Sequence, residues 1–314
     1  MPDGYDRGTM ISARFSASSA SRRALLLAGA LLLSGCMTLP GSKPEPAPAP
    51  IVVSTPPVPA KPKIGLALGG GAARGFAHIG VIKMLESHGI VPDYVVGTSA
   101  GAVVGSLYAG GFDAFAMQKL AIQLDETLFA DWTLRGPGLL KGEALQSFVN
   151  QHLKRRPLEK LNIPFGTVVT DLNSGERVVF RNGDSGMAVR ASAAVPGVFQ
   201  PVAINGRQYV DGGLTSPVPV RAVREMGADF VIAVDISATA EGQPVDSMSA
   251  ILWQTTTIMG NVIGKTELAE ADIVIRPRLP YVKSWNFAAR HEAMIEGERA
   301  AQAALPAIRS KLLR

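Results

Sequence analysis

Two segments of the sequence each have the pattern of a short apolar strand that runs through a glycine-rich turn directly into a helix. In the first, residues 64–68 precede the turn at 69–75, after which apolar residues recur at helical spacing. In the second, residues 94–96 lead into Gly-Thr-Ser-Ala-Gly at 97–101 and a helix of small apolar residues. Strands that alternate with helices in this way favour a largely parallel sheet covered on both faces.

The same alternation continues along the chain, whose 314 residues are 47% apolar and can fill one large core. Strands are predicted near 64–68, 94–97, 164–170, 176–181, 208–211, 229–235 and 272–276. Helices are predicted near 75–88, 100–110, 113–125, 142–154, 216–226, 248–263 and 290–312. We therefore expect an α/β fold, a three-layer α/β/α sandwich with a largely parallel central sheet and an antiparallel hairpin near 171–176.

The N-terminal residues have the composition of an export signal. Within residues 22–36, two arginines precede about ten apolar residues, too few to span a bilayer as a helix, and Cys36 ends the run. The ending Leu-Ser-Gly-Cys resembles the lipobox of bacterial lipoproteins, which implies a signal peptide over 1–35 and lipidation of Cys36. An ordinary signal peptide and a buried thiol are the alternatives.

A proline- and alanine-rich segment follows, and we interpret residues 36–62 as a tether to a folded domain over 63–314. Such a segment favours extended polyproline II, and about 24 residues of it could reach roughly 70 Å. Lipidation would hold the protein on a membrane. The general secretory route is preferred over twin-arginine export. Residue 37 is Met, whereas resemblance to an inner-membrane retention signal would need Asp at this position. We therefore expect the lipidated protein at the outer membrane of the cell envelope, facing the periplasm.

Composition argues against several classes of function. The net charge of +5 is too small to predict the basic face of a nucleic-acid-binding protein. Cys36 is the only cysteine, so neither an intrachain disulfide nor a thiolate metal cluster is expected. The four histidines lack the helical spacing of a zinc protease. We therefore expect no metal and no cofactor. The sequence does not identify a protein partner.

The turn at 69–75 opens a helix, so its unpaired N–H groups and the helix dipole favour a negative charge. A nucleotide phosphate is not expected, because Arg74-Gly75-Phe76 lacks the Gly-Lys-Ser/Thr of a P-loop. A dinucleotide site would need an acidic residue after the next strand, whereas Asp93 precedes that strand. These residues alone leave open whether the anion is a phosphate or a developing oxyanion.

The segment around Ser99 has the Gly-x-Ser-x-Gly pattern of a nucleophile on a sharp strand-to-helix turn. Gly97 and Gly101 fit this interpretation because larger side chains there would collide with the turn. A catalytic histidine is not expected downstream, since His152 lies at a polar helix end and His291 at the start of the last helix.

Asp211 is the candidate base for Ser99. It ends a predicted strand, and Gly212 and Gly213 allow a close backbone turn after it. A carboxylate held within about 3 Å of the serine could accept its proton. Three competing titratable residues, Asp171, Asp235 and His78, are assigned structural roles.

Taken together, Gly-Gly-x-x-Arg-Gly, Gly-Thr-Ser-Ala-Gly and Asp-Gly-Gly in this order resemble the patatin-like phospholipases. The similarity runs from about residue 63 to 235 and includes the segment 191–201. It implies a serine–aspartate dyad of Ser99 and Asp211 that hydrolyses acyl esters of lipids.

The resemblance also implies how the glycine turn works. Backbone N–H groups near Gly70, Gly71 and Ala72 would form the oxyanion hole, with Arg74 steadying the loop. Ala72 stands where the family's third glycine is usual, and alanine accepts a positive φ less readily than glycine does.

Three functions fit the sequence to different degrees. The first is a serine hydrolase of phospholipase A or lysophospholipase type that acts on membrane lipids. The second is a membrane-tethered binding or envelope-assembly factor with little turnover, and the third is a thioesterase for soluble esters, against which Cys36 argues. Two loops rich in apolar residues, 131–140 and 280–287, are hypothesised to contact acyl chains or the bilayer, with capping of the core as the alternative.

Overall fold

The computed structural model describes residues 61–124, 140–241, 245–283 and 286–313, all within one compact unit that spans 58–314. Its strands are β1 Ile64–Leu68, β2 Tyr94–Thr98, β3 Phe165–Asp171, β4 Arg177–Phe180, β5 Val202–Ile204, β6 Arg207–Asp211, β7 Phe230–Val234 and β8 Ile273–Ile275. Its helices are α1 Phe76–Ser87, α2 Ala100–Ala109, α3 Ala114–Gln123, α4 Glu143–His152, α5 Ser185–Ser192, α6 Val220–Glu225, α7 Met248–Leu268 and α8 Arg290–Leu312.

The strands form one mixed sheet in the order β5-β6-β3-β2-β1-β7-β8, with β4 paired to β3. Strands β3, β2, β1, β7 and β8 are parallel, whereas β4, β5 and β6 run antiparallel to their neighbours. The predicted α/β fold with a largely parallel sheet is confirmed, including the hairpin between β3 and β4.

Both faces of the sheet are covered by helices. Successive residues of β1 point to opposite faces, so Leu66 and Leu68 pack in a larger core with α1 and α8, while Ala67 packs in a smaller core with α6. All three side chains are fully buried. The sheet is therefore the middle one of three layers.

The sequence did not predict α5 and β5, and it misplaced the ends of two helices. Helix α6 begins at Val220 and not near 216, because Pro217 and Pro219 interrupt the backbone hydrogen bonds that a helix needs. Helix α5 has a weak helical pattern, since it contains Gly186, where a Cβ would meet the Gln146 carbonyl of α4. Helix α7 extends to 268, five residues beyond its predicted end.

No helix within the described ranges combines the length and the apolar content required to cross a bilayer.

Helices α1 and α8 approach each other unusually closely at two glycines. A Cβ on Gly80 would collide with the Met294 carbonyl, and one on Gly297 would collide with the Ala77 carbonyl. Each contact involves backbone atoms on the other helix, which cannot turn aside as a side chain can. The two helices can therefore pack at this distance only because both positions are glycine.

We expect Gly297→Ala to lower the free energy of unfolding by about 1–3 kcal/mol, because the added methyl group must push α8 away from α1. Urea unfolding measures the change. Gly264→Ala is the matched control, since it is also inside a helix but its Cβ would lie 3.5 Å from the Pro217 side chain, at an ordinary contact distance. Equal stability of the two variants would contradict the close-packing argument.

Candidate active site

Ser99 and Asp211 are brought together by strand β3. Strand β2 ends with Thr98 opposite Val168, and β6 ends with Asp211 opposite Val169. Because β4 pairs with both of these β3 residues, it must occupy one edge of β3, which leaves β2 and β6 to share the other edge. The two strands therefore end face to face at consecutive positions of β3.

Ser99 lies on the sharp turn between β2 and α2. Its φ of 54° and ψ of −117° are unfavourable for a residue with a side chain. Gly97 and Gly101 make the turn possible, because a Cβ on Gly97 would meet the Gly101 carbonyl and one on Gly101 would meet the Leu68 carbonyl. The turn thus holds Ser99 at the start of α2, where the helix dipole favours negative charge.

The side chain of Ser192 holds this turn in place. Sequence reasoning did not identify Ser192. Its hydroxyl accepts a hydrogen bond from the Ser99 N–H at 2.9 Å and donates one to the Val168 carbonyl at 2.6 Å. Ser192 ends helix α5, whose pattern is weak in the sequence. The Ser-x-x-Val-Pro order in the segment 191–201 was the only signal at this position.

The Ser99 hydroxyl lies beside the Asp211 carboxylate, near enough for a side-chain hydrogen bond to lower the pKa of that carboxyl. Asp211 is only 7% exposed, and its Oδ1 also accepts from the Gly213 N–H at 2.7 Å. Burial raises the pKa of Asp211 from 3.8 to about 6, although the hydrogen bonds from Ser99 and Gly213 oppose the rise. Asp211 is therefore a stronger base than an ordinary aspartate.

Two of the three candidate N–H groups of the glycine turn have no hydrogen-bond acceptor among the described residues. The Gly70 N–H donates to the Pro217 carbonyl at 2.9 Å, so it is not available to an oxyanion. The N–H groups of Gly71 and Ala72 donate to no acceptor among the described residues. Both residues line the same cleft as Ser99.

Ala72 has a φ of 50°, in the left-handed region that favours glycine. Adopting it costs a residue with a Cβ about 1 kcal/mol. The turn therefore keeps a glycine-like backbone at Ala72, which preserves the direction of its N–H group. Its methyl group lies against the cleft.

Three interactions hold the glycine turn in place from behind. Besides the Gly70 contact, the buried Arg74 donates from Nε to the Ile236 carbonyl at 2.8 Å, and His78 bonds through Nε2 to the Gly69 carbonyl at 2.8 Å. Burial lowers the pKa of Arg74 to about 10 and that of His78 to about 4, so Arg74 stays charged and His78 stays neutral at pH 7. His78 is thus a donor that supports the loop.

The other residues considered as catalytic from the sequence have different roles in the structure. Asp171 accepts from the N–H groups of the turn at 173–174 and pairs with Arg207 at 3.0 Å. Asp235 pairs with Arg276 at 2.8 Å. His152 bonds to a carbonyl of its own helix, and His291 is exposed on α8. Within the described ranges, no cluster of three or more His, Cys, Asp or Glu residues could hold a metal ion.

A cleft of about 720 Å³, open to solvent, surrounds the pair. The glycine turn forms one wall, and helix α7 forms the opposite side. The residues contributed by α7 are mostly small or polar: Trp253, Thr256, Thr257, Gly260 and Asn261.

A second pocket, which encloses about 570 Å³ together with the solvent at its open mouth, adjoins the cleft at Ala72. It also reaches Ala100, directly after the candidate nucleophile. Its lining contains no charged residue: Ala72, Gly75, Phe76, Ala100, Val103, Val104, Leu124, Leu145, Phe148 and Phe287. Phe287 belongs to the loop 280–287 that was hypothesised to contact acyl chains. Residues 131–139 of the other loop, and Cys36, lie outside the described residues.

Comparisons with known proteins point to the same family as the three sequence motifs. A family model described as patatin-like phospholipase matches residues 66–224, which is half of the chain. An uncharacterized NTE family protein of Mycobacterium tuberculosis is 37% identical over 190 residues, which cover 60% of this chain and 53% of that protein. Patatin-like phospholipase domain-containing protein 6 of Homo sapiens is 32% identical over 232 residues, 70% of this chain and 17% of that protein.

The solved structure of VipD from Legionella pneumophila is similar in fold, with a TM-score of 0.55 at 16% identity over 78% of this chain and 67% of that one. The chain spans about half the length of the mycobacterial relatives that it matches.

The raised pKa of Asp211 has a consequence for stability. A group whose folded-state pKa lies above its ordinary value stabilises the fold while protonated, and this contribution is lost as the pH rises through the folded-state value. Asn is neutral at every pH and still offers an oxygen to the Gly213 N–H. We expect Asp211→Asn to gain about 2 kcal/mol in unfolding free energy relative to the wild type between about pH 4 and about pH 8. Urea unfolding at the two pH values measures this, and a constant difference would contradict the raised pKa.

Proposed function

The chain belongs to the patatin-like phospholipase family, and we propose that it is a serine hydrolase that cleaves acyl esters of membrane lipids, of phospholipase A or lysophospholipase type. One observation carries this proposal: Ser99, on a strained turn, and the buried carboxylate of Asp211 lie side by side in one cleft. The family model that matches residues 66–224 confirms the resemblance identified in the sequence at the level of the family.

The proposed reaction begins when the Ser99 oxygen attacks the ester carbonyl and its proton passes to Asp211. The negative charge that develops on the carbonyl oxygen accepts hydrogen bonds from the Gly71 and Ala72 N–H groups. Collapse of this intermediate expels the lipid alcohol, which takes the proton from Asp211. Water then attacks the acyl group on Ser99 and gives its proton to Asp211. The bond between the Ser99 oxygen and the acyl carbon breaks, the Ser99 oxygen takes the proton back from Asp211, and the fatty acid leaves.

A carboxylate can serve as the base here for two electrostatic reasons. Its pKa of about 6 lies close to neutral pH, so proton transfer is less unfavourable than to an ordinary aspartate. The oxyanion donors must lower the rest of the activation barrier, and each such donor typically contributes about 10²–10³ in rate. Both donors here come from backbone held in place by Arg74, His78 and the Pro217 carbonyl.

The adjoining apolar pocket is proposed to take the acyl chain. It begins at Ala72 and Ala100, beside the oxyanion donors and the nucleophile, so a chain attached to the reacting carbonyl can enter it directly. Phe76, Phe148 and Phe287 provide apolar walls that favour methylene groups over water.

The anchor and the location of the protein are also proposals. Lipidation at Cys36, followed by the tether up to residue 62, would keep the domain near a membrane that contains its substrate. Export to the outer membrane, facing the periplasm, follows from the lipobox resemblance and from Met37.

Hydrolysis by the purified full chain tests the dyad. We expect turnover of lysophospholipid and of fluorogenic esters to fall about 10³-fold or more in Ser99→Ala and in Asp211→Asn, since each removes a reacting group. The wild-type rate should fall as the pH drops below about 6, because the base becomes protonated. Ser106→Ala on α2 and Asp113→Asn at the exposed start of α3 are matched controls that keep activity. An inactive wild type, or full activity of Ser99→Ala, would favour the tethered binding or assembly factor instead.

Filling the apolar pocket should change the preference for acyl length. Val103 is half-buried at its wall, and we expect Val103→Phe to lower kcat/KM for long-chain esters about tenfold while butyrate esters react as before. The ratio of the two kcat/KM values is the measurement. Val91→Phe, at a position 56% exposed and outside the pocket, is the control. Equal losses on both esters would place the acyl chain elsewhere.

A further inference from the structure

Helix α7 has two faces with different surroundings. One face lines the catalytic cleft through residues that include Trp253, Thr257 and Asn261. Two side chains on the helix bond to the segment that follows β7: Gln254 donates to the Ala240 carbonyl at 2.6 Å, and Asn261 donates to the Ala238 carbonyl at 3.1 Å. The helix is therefore fixed to the cleft along one side.

The opposite face of α7 is apolar and exposed. Its large apolar side chains occur in two groups at helical spacing, separated by the exposed Thr255, and all lie on one side of the helix. The α7 stripe consists of Met248, 72% exposed, Ile251, 46%, Leu252, 51%, Ile258, 48%, Met259, 52%, and Val262, 64%. Single exposed apolar residues are common on soluble proteins, but six large ones on one side of a helix mark an interaction surface.

Charge distribution separates α7 from an ordinary surface helix. Residues 248–264 contain no Asp, Glu, Lys, Arg or His, and the first charged residue is Lys265 near the end of the helix. Helix α8 gives the contrast within the same fold, since its exposed positions include Glu292, Arg299 and Arg309. A helix face in permanent contact with water normally carries charged residues of this kind.

We propose that the α7 stripe docks the protein on a lipid bilayer and holds the mouth of the cleft against it; this proposal rests on the proposed function. The stripe and the cleft wall are two sides of the same helical turns, so a lipid that leaves the bilayer along α7 reaches Ser99 without crossing bulk water. An apolar helix face binds in the membrane interface with its side chains among the acyl chains, and the strength of binding grows with the apolar area that it buries. The tether that precedes residue 63 would keep the domain within reach of the surface.

A fluorescent label tests docking independently of turnover. The full chain carries Cys36→Ser and Ser99→Ala, with Met259→Cys labelled by bimane, whose emission shifts to the blue in an apolar environment. The control label is at Phe115→Cys on α3, a position 67% exposed that does not line the cleft. Vesicles of phosphatidylethanolamine and phosphatidylglycerol are then added.

We expect a blue shift at position 259 and none at 115. No shift at 259, or equal shifts at both positions, would overturn the proposal. A shift at 259 that needs no vesicles and grows with protein concentration would show that a second copy covers the stripe, which also overturns it. Because the labelled protein lacks Ser99, the result is the same whether or not the wild type hydrolyses lipids, so failure of docking and failure of the proposed function remain distinguishable.

Kinetics of the otherwise wild-type full chain provide the second measurement. The triple variant Ile251→Ser, Met259→Ser and Val262→Ser should hydrolyse lipid in vesicles at least about tenfold more slowly, because three apolar side chains no longer enter the bilayer. Its turnover of a soluble short-chain ester should stay unchanged, since none of the three lines the cleft. The pair Phe115→Ser and Ile122→Ser removes comparable exposed apolar surface from α3 and should affect neither substrate. Equal rates of the triple variant and the wild type on vesicles would contradict docking through α7.

Discussion

The pairing of two strands with one edge of β3 is the constraint on which the site depends. Strand β2 arrives parallel to β3 and stops at Val168, and β6 arrives antiparallel and stops at Val169. Neither strand can extend further without colliding with the other, so both chains must turn away from the sheet at this point. The residues at these two turns are Ser99 and Asp211, and their contact is a direct result of strand register.

Because both strands turn away at the same point, the structure around Ser99 and Asp211 is packed largely through backbone atoms. The turns after β2 and β6 leave no room for side chains at Gly97, Gly101 and Gly212, and a Cβ on each would meet a carbonyl group. A rigid backbone is also what an oxyanion site requires, because donors that are already oriented need no reorganisation during the reaction. The unfavourable φ angles of Ser99 and Ala72 and the buried charge of Asp211 all lower stability, and the close-packed core around them offsets this cost.

The sequence predicted much of this site because its essential steps are local. Glycines on either side of Ser99 and after Asp211 reflect steric limits within a few residues, and such limits appear directly as residue types. The role of Ser192 and the loss of the Gly70 N–H to Pro217 depend on residues more than ninety positions apart, which no local pattern records. Strand β5 was missed because three residues, of which Ala203 is exposed, give too short an alternation to recognise.

The close packing of α1 against α8 extends the functional unit beyond the region of family similarity. Helix α1 begins directly after the glycine turn, and α8 is its principal packing partner, although α8 lies more than sixty residues past the matched segment 66–224. Strand β7, which pairs with the whole of β1, also lies outside that segment. A boundary drawn at residue 224 would thus remove β7 and α8, which support the glycine turn, and shortened or fused versions of this protein must keep the final helix to keep that turn in shape.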